Sequence, residues 1–396
     1  LDASQNTVLT TAAVQDSRAG YLLDFSSTRP NYQRGRVTIG QDHLCAFMND
    51  GSVQCWGRNA FGQLGDGTTA DSLNPVVVQG ITNALSVDTG AGRTHQCALL
   101  MDGSVKCWGG NYYGTIGDGT YDWYYGKLQP TAVVEKTSGD LITDAVAISV
   151  ADYHSCVVRR QDNLSVWCWG WNGNGQHGDG SRSHNYAAVK MLGISNARSV
   201  AVGYLHTCVL LQDGFVKCVG YNAKGQLGDG SYVEDSTTAS QVVGVTNATN
   251  IASGYWHACA LLGDGNVTCW GNNANGQLGN GATGDRSAAV QVLGITSAMS
   301  IALGHHHSCA LLRSGVIKCW GKNANGQLGD GTMDDRSSPV EVVGITDAIA
   351  VAAGYYVSCA VLANEEARCW GRNTYGELGD GSTLCPGERN EHRQPE

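Results

Sequence analysis

This sequence predicts an all-β fold, a seven-bladed β-propeller of four-stranded blades, on three observations. Fourteen of its 15 cysteines form seven close pairs. The first members of successive pairs lie 52, 59, 52, 51, 50 and 50 residues apart, an internal repeat of about 50 residues. The apolar runs within each repeat are about five residues long and bounded by Gly, Asp or Asn, which is strand-and-turn patterning without helical periodicity. Four such runs per unit, repeated in tandem, make propeller blades, because a single blade cannot bury both its faces.

The elements follow in chain order. Residues 1–34 read as an N-terminal arm in which Thr7–Val14 (TVLTTAAV) is a strand candidate. Residues 35–381 hold the seven units. The typical unit has a first run V/I-A-x-G, a second containing C-A-L-L, a third V-x-C-W-G and a fourth P-V-x-V. A loop of the G-Q-L-G-D-G type follows the third run seven times, from Gly62–Gly67 to Gly376–Gly381. The connector G-I-T-x-A occurs only six times, the first ending in Ala84 and the last in Ala348. The last unit therefore lacks its fourth strand. Thr7–Val14 is expected to supply it and close the ring, or to be exchanged with a neighbouring molecule. Residues 382–396 form a charged tail holding Cys385, for which a free thiol, an intermolecular bond and an inert residue all stay open.

The expected disulfides join Cys45 to Cys55, Cys97 to Cys107, Cys156 to Cys168, Cys208 to Cys218, Cys259 to Cys269, Cys309 to Cys319 and Cys359 to Cys369. Pairing 45 with 55 also pairs 48 with 52 and leaves a three-residue turn, where Gly51 supplies a positive φ. Opposed residues of antiparallel strands come close enough for a disulfide, so one cross-strand bond per blade is expected. Two extra residues around Asp162–Leu164 lengthen the third hairpin symmetrically and keep that pairing. Zinc is the weaker reading, since no C-x-x-C occurs and each blade offers two thiols. Persistent disulfides imply an oxidising compartment, and a start at Leu1 rather than Met suggests a leader already removed, so the expected location is extracellular or cell-surface.

The combination G-x-x-H-x-x-A-L, then G-x-V-x-x-W-G-x-N-x-x-G-Q-L-G, resembles the regulator of chromosome condensation repeat, over roughly residues 36–381. The resemblance implies the propeller and leaves function open, because one fold hosts many functions. Family members include a nucleotide exchange factor for a small GTPase, a plant ultraviolet-B receptor and a secreted bacterial inhibitor of β-lactamases. The cysteine pairs depart from the eukaryotic nuclear members and look more like the secreted bacterial ones.

Composition narrows the partners. Lys and Arg total 25 against 35 Asp and Glu, a net charge of −10, which argues against tracking a phosphate backbone. No apolar run approaches the length of a membrane span. No G-x-S-x-G, Walker loop or H-E-x-x-H occurs, so the expectation is a non-enzyme with no catalytic residue, cofactor or metal.

Recurring residues are read first as servants of the repeat. His43, His95, His154, His206, His257 and His307 share one position, with Val357 in the seventh unit, and are expected to hydrogen-bond structurally. Trp56, Trp108, Trp169, Trp270, Trp320 and Trp370, with Val219 in the fourth unit, are expected to pack between blades. The Asp-rich loops lack a calcium-binding ladder, and turn chemistry accounts for them. The aromatic loops are left. Alternating strand direction puts the first-to-second and third-to-fourth loops on one side of the disc. The candidate binding face there is Tyr121, Trp123, Tyr124, Tyr125, Tyr153, Tyr204, Tyr255, Trp256, Tyr355 and Tyr356. Phe61, Tyr112, Tyr113, Trp171, Tyr221 and Tyr375 lie in the third-to-fourth loops of the same side. The expected function is a secreted scaffold for macromolecular interaction or self-assembly. The alternative is a monomeric lectin-like or inhibitor-like propeller that takes a glycan or a protein on its aromatic face.

Overall fold

The computed structural model describes residues 8–9, 36–48, 50–89, 94–364, 366–379 and 382–383. They form seven antiparallel sheets of four strands. The first strands of all seven line one central channel, among them Val37, Asp88, Ile148, Ala201, Ile251, Ala302 and Val351. In the first blade the strands are Arg36–Ile39, His43–Phe47, Val53–Gly57 and Ser72–Val77, running outward in chain order. The last blade contributes Ala348–Ala353, Val357–Leu362 and Ala367–Gly371, and its outer strand is Val8–Leu9.

That outer strand closes the ring as expected. Val8 pairs with Arg368 and Leu9 with Ala367. In the preceding blade Lys318 pairs with Glu341, so Leu9 takes the register position of Val342. Val78, Val242, Val292 and Val342 fill that position elsewhere and all are buried. The remainder of Thr7–Val14 and of the arm, and the tail with Cys385, lie outside the described residues.

Each blade carries the one disulfide expected of it, between its second and third strands. Cys45 bonds to Cys55, Cys97 to Cys107, Cys156 to Cys168 and Cys208 to Cys218. Cys259 bonds to Cys269, Cys309 to Cys319 and Cys359 to Cys369. The two residues of each bond are directly opposed in register, with Cα atoms 4.0–4.1 Å apart. The lengthened third hairpin keeps Cys156 opposite Cys168 and turns through Asn163 and Leu164, both at φ 52°. Gly51 has φ 82°, and a Cβ there would stand 2.7 Å from the Thr82 carbonyl oxygen, so the turn needs glycine.

The apolar core lies between blades rather than within them. One cluster joins Val53, Leu64 and Ile81 of the first blade to Val87, Leu100 and Trp108 of the second. Another joins Val357, Val361 and Leu378 of the last blade to Val37, Leu44 and Trp56 of the first. The ring is therefore continuous through its seam, and burial between neighbours is what favours seven blades over isolated sheets.

Candidate functional site: an aromatic face

The recurring polar residues of the repeat join neighbouring blades. His154 Nε2 lies 2.8 Å from Thr207 Oγ1, and Thr207 Oγ1 donates to the Gln176 carbonyl at 2.8 Å. His257 with Ser308 and His307 with Ser358 repeat the bridge at 2.9 and 2.8 Å. His43 reaches Gln96 at 2.6 Å and His95 reaches Ser155 at 3.0 Å. The tautomer consistent with these networks has its proton on Nε2. The tryptophans bridge in parallel, since Trp108 Nε1 donates to the Gln63 carbonyl at 3.1 Å and Trp320 Nε1 to the Gln277 carbonyl at 2.8 Å. Gly65 lets the Trp108 ring approach; a Cβ there would meet it at 2.8 Å. The asparagine after each W-G tightens its own loop, as when Asn59 Oδ1 accepts the Leu64 amide at 2.9 Å. Asp66 likewise accepts the Thr68 amide at 2.9 Å, a turn role.

The seam between last and first blades departs from this pattern. Val357 and Leu44 replace the histidine and its partner, and both are fully buried. Ions compensate. Arg372 pairs with Asp42 across the seam and with Glu377 at 2.9 Å, and Arg58 joins Asp42 at 3.2 Å. Trp56 still donates to the Glu377 carbonyl at 3.2 Å.

With those residues occupied structurally, the loops on one side carry the remaining aromatics, and the structure brings most of them together. Tyr153, Tyr204, Tyr255, His305 and Tyr355 come from five consecutive blades. Their successive ring centroids are 5.2, 3.9, 3.7 and 3.9 Å apart. Trp256 flanks Tyr255 at 5.2 Å and Tyr356 flanks Tyr355 at 4.3 Å. The arc continues into the third-to-fourth loops through Tyr113, which stands 6.0 Å from Tyr153, 4.5 Å from Trp171 and 4.6 Å from Trp123. Tyr112 and Phe61 extend it, 5.5 Å apart. The arc residues are half-buried, apart from the buried His305, so they pack on the blades and also present one edge or face to solvent.

The loop 121–125 stands proud of this arc. Tyr121 and Trp123 are about half exposed, Tyr124 is 83% exposed and Tyr125 78%. Asp122 Oδ1 accepts the amides of Tyr124 and Tyr125 at 2.9 and 3.0 Å, which ties the loop into one turn. Tyr121 leans on Tyr186 at 4.7 Å. Behind Trp123 a cavity of about 480 Å³ opens, walled by Phe61, Tyr112, Tyr113, Trp123, Tyr153 and Tyr204. Burial pushes His305 down to about 2 and His306 to about 4, so both are neutral at ordinary pH.

Sequence reasoning named most of this face but missed two members. His305 occupies the repeat position of Tyr204, Tyr255 and Tyr355, and that register was the available signal. His184 stacks on Trp171 at 4.1 Å, a contact across one loop that no spacing announces. Among the described residues no group of three or more His, Cys, Asp or Glu is placed to hold a metal ion.

Comparison with known proteins agrees with this architecture. Residues 86–395 match the family model of the RCC1-like domain, and residues 36–63 and 50–99 match the regulator of chromosome condensation (RCC1) repeat. The ultraviolet-B receptor UVR8 of Arabidopsis thaliana is 28% identical over 64% of this chain and 56% of its own length. The human E3 ubiquitin-protein ligase HERC2 is 28% identical over 62% of this chain but only 5% of its own length. The chain thus spans about half or less of these relatives. Human WBSCR16 superposes with a TM-score of 0.71 at 20% identity, covering 92% of this chain and 96% of that one. Prp20p of Saccharomyces cerevisiae, described with its binding to Gsp1p and histones, gives 0.70 at 20% identity over 92% and 91%. Likeness at that identity speaks for the fold alone. With the repeat's residues accounted for bond by bond and the family match spanning most of its length, the chain belongs to the RCC1-like domain family of β-propellers.

Proposed function

We propose that this chain is a non-enzymatic binding module of an oxidising compartment, extracellular or at the cell surface, which takes a macromolecular partner on its aromatic face. The observation that carries the reading is the arc from Phe61 to Tyr356, fronted by the exposed 121–125 loop. Exposed aromatics held rigid by their neighbours are what binding surfaces use, because large contact area then forms with little ordering cost. Seven buried disulfides support the compartment. The glycosylation sequons at Asn163, Asn247 and Asn266 fall in turns on the opposite side, so glycans there would leave the aromatic face bare. Pairing of Val8–Leu9 with the chain's own last blade is the arrangement a closed monomer would have.

The test is a pair of double variants. Partners are captured from the native extracellular fluid with the wild type, with Trp123→Ala plus Trp256→Ala, and with Met101→Ala plus Leu192→Ala on the opposite side. Loss of a specific partner with the first variant only is expected. Equal capture by all three would refute the aromatic face as the binding surface.

A further inference from the structure

Tyr113 is strained where the other blades are relaxed. It lies at φ 58°, ψ 17°, the left-handed region that a bulky side chain avoids. Its repeat equivalents Phe61, Asn174, Lys224, Asn275, Asn325 and Tyr375 do not show positive φ. Such strain persists only where surrounding structure enforces it, and it concentrates at ligand sites. Here it drives the Tyr113 ring into the centre of the aromatic cluster, between Trp123 and Trp171. That cluster walls the 480 Å³ cavity, a size within the range of small-ligand sites.

The lining defines the ligand chemistry. Phe61, Trp123 and the tyrosines offer π faces and edges, while phenolic hydroxyls and Thr94 offer hydrogen bonds. One guanidinium, Arg58, and one carboxylate, Asp152, also line it, and Arg58 is already ion-paired with Asp42 at 3.2 Å. The lining has no excess of either sign to select a charged ligand. A sugar ring suits it, with C–H faces that stack on aromatic quadrupoles and hydroxyls that meet phenols. From Trp123 the surface continues onto the exposed Tyr124 and Tyr125, which favours a chain of sugars over a single one.

We propose that the cavity centred on Tyr113 and Trp123 is a neutral-oligosaccharide site. This rests on the aromatic face being the binding surface. The full chain is titrated with maltotetraose, cellotetraose, chitotetraose and mannotetraose, followed by calorimetry and tryptophan fluorescence. Saturable binding of at least one is expected, with affinity nearly independent of salt. Trp123→Ala and Tyr113→Asn should each weaken it roughly tenfold or more. Asparagine tolerates the left-handed backbone, so the second variant keeps the fold, which its thermal melt checks. Met101→Ala should bind as wild type does. No saturable binding to any of the four overturns the glycan assignment. If a protein partner is then still captured and lost with Trp123→Ala, the binding face stands and its ligand is a protein. If that capture fails too, both readings fall.

Discussion

Single residues show how the repeat tolerates exceptions. Ala258 follows His257 where five other blades carry Ser, Thr or Gln and the first carries Leu44, and His206 Nε2 accordingly has no partner in the interior. Ala258→Ser would restore a hydroxyl between His206 and the Gln226 carbonyl and should stabilise the protein by about 1 kcal/mol. A rise in the urea midpoint checks it, and an unchanged midpoint would count against the inter-blade bridge. The histidines also set a pH dependence. Burial pushes His43 down to about 4 and His95 and His307 to about 3, and holds His154 and His257 well below the ordinary value. In the unfolded chain the same groups take up protons near pH 6.5 (roughly, for a free imidazole). Below that pH the unfolded state binds more protons than the folded one. Stability is therefore complete above it and falls as pH drops toward 4, by about 1.4 kcal/mol per unit for each buried imidazole. Urea midpoints between neutral pH and pH of about 5 should drop steeply, and a flat series would contradict neutral buried histidines.

At the scale of elements, the blades and their closure were legible because the repeat is redundant. Seven loops against six connectors showed which strand was missing, and the cysteine spacing showed which strands pair. The charged seam was not legible, because Asp42 lies 330 residues from Arg372 and nothing local links the two. Asp42 and Glu377 are almost wholly buried. Arg372→Ala would leave the buried Glu377 without an ion partner and Asp42 with Arg58 alone, and should cost about 3 kcal/mol, read from chemical unfolding. A cost near that of an exposed ion pair, under about 1 kcal/mol, would show that the seam does not depend on it. Leu9→Asp places a charge at the register position that valines fill in other blades. It should strip hydrogen-exchange protection from Ala367–Gly371 first. Protection lost uniformly around the ring would instead mean that closure is fully cooperative.

The whole molecule is a disc with two unlike sides. One carries hairpin turns and sequons, and the other a band of rings that runs across most of the blades. The side was predictable from strand alternation, and the ring identities from the loops. The contacts were not, because stacking of Tyr204 on Tyr255 or His305 on Tyr355 depends on the angle between blades, which only the folded ring sets. The twist of Tyr113 did have a local signal, since Thr115 stands where the other blades carry a Gln or Glu whose side chain accepts the amide of the residue equivalent to Tyr113. The claim that this band is where the protein binds is tested most directly by site-specific photo-cross-linking in extracts of its source. A photoreactive phenylalanine analogue would be placed at Tyr124 or Tyr356 on the aromatic side, and at Met101 or Leu192 on the other. Partner adducts at the first pair and none at the second are predicted. Adducts confined to Met101 or Leu192 would contradict the account.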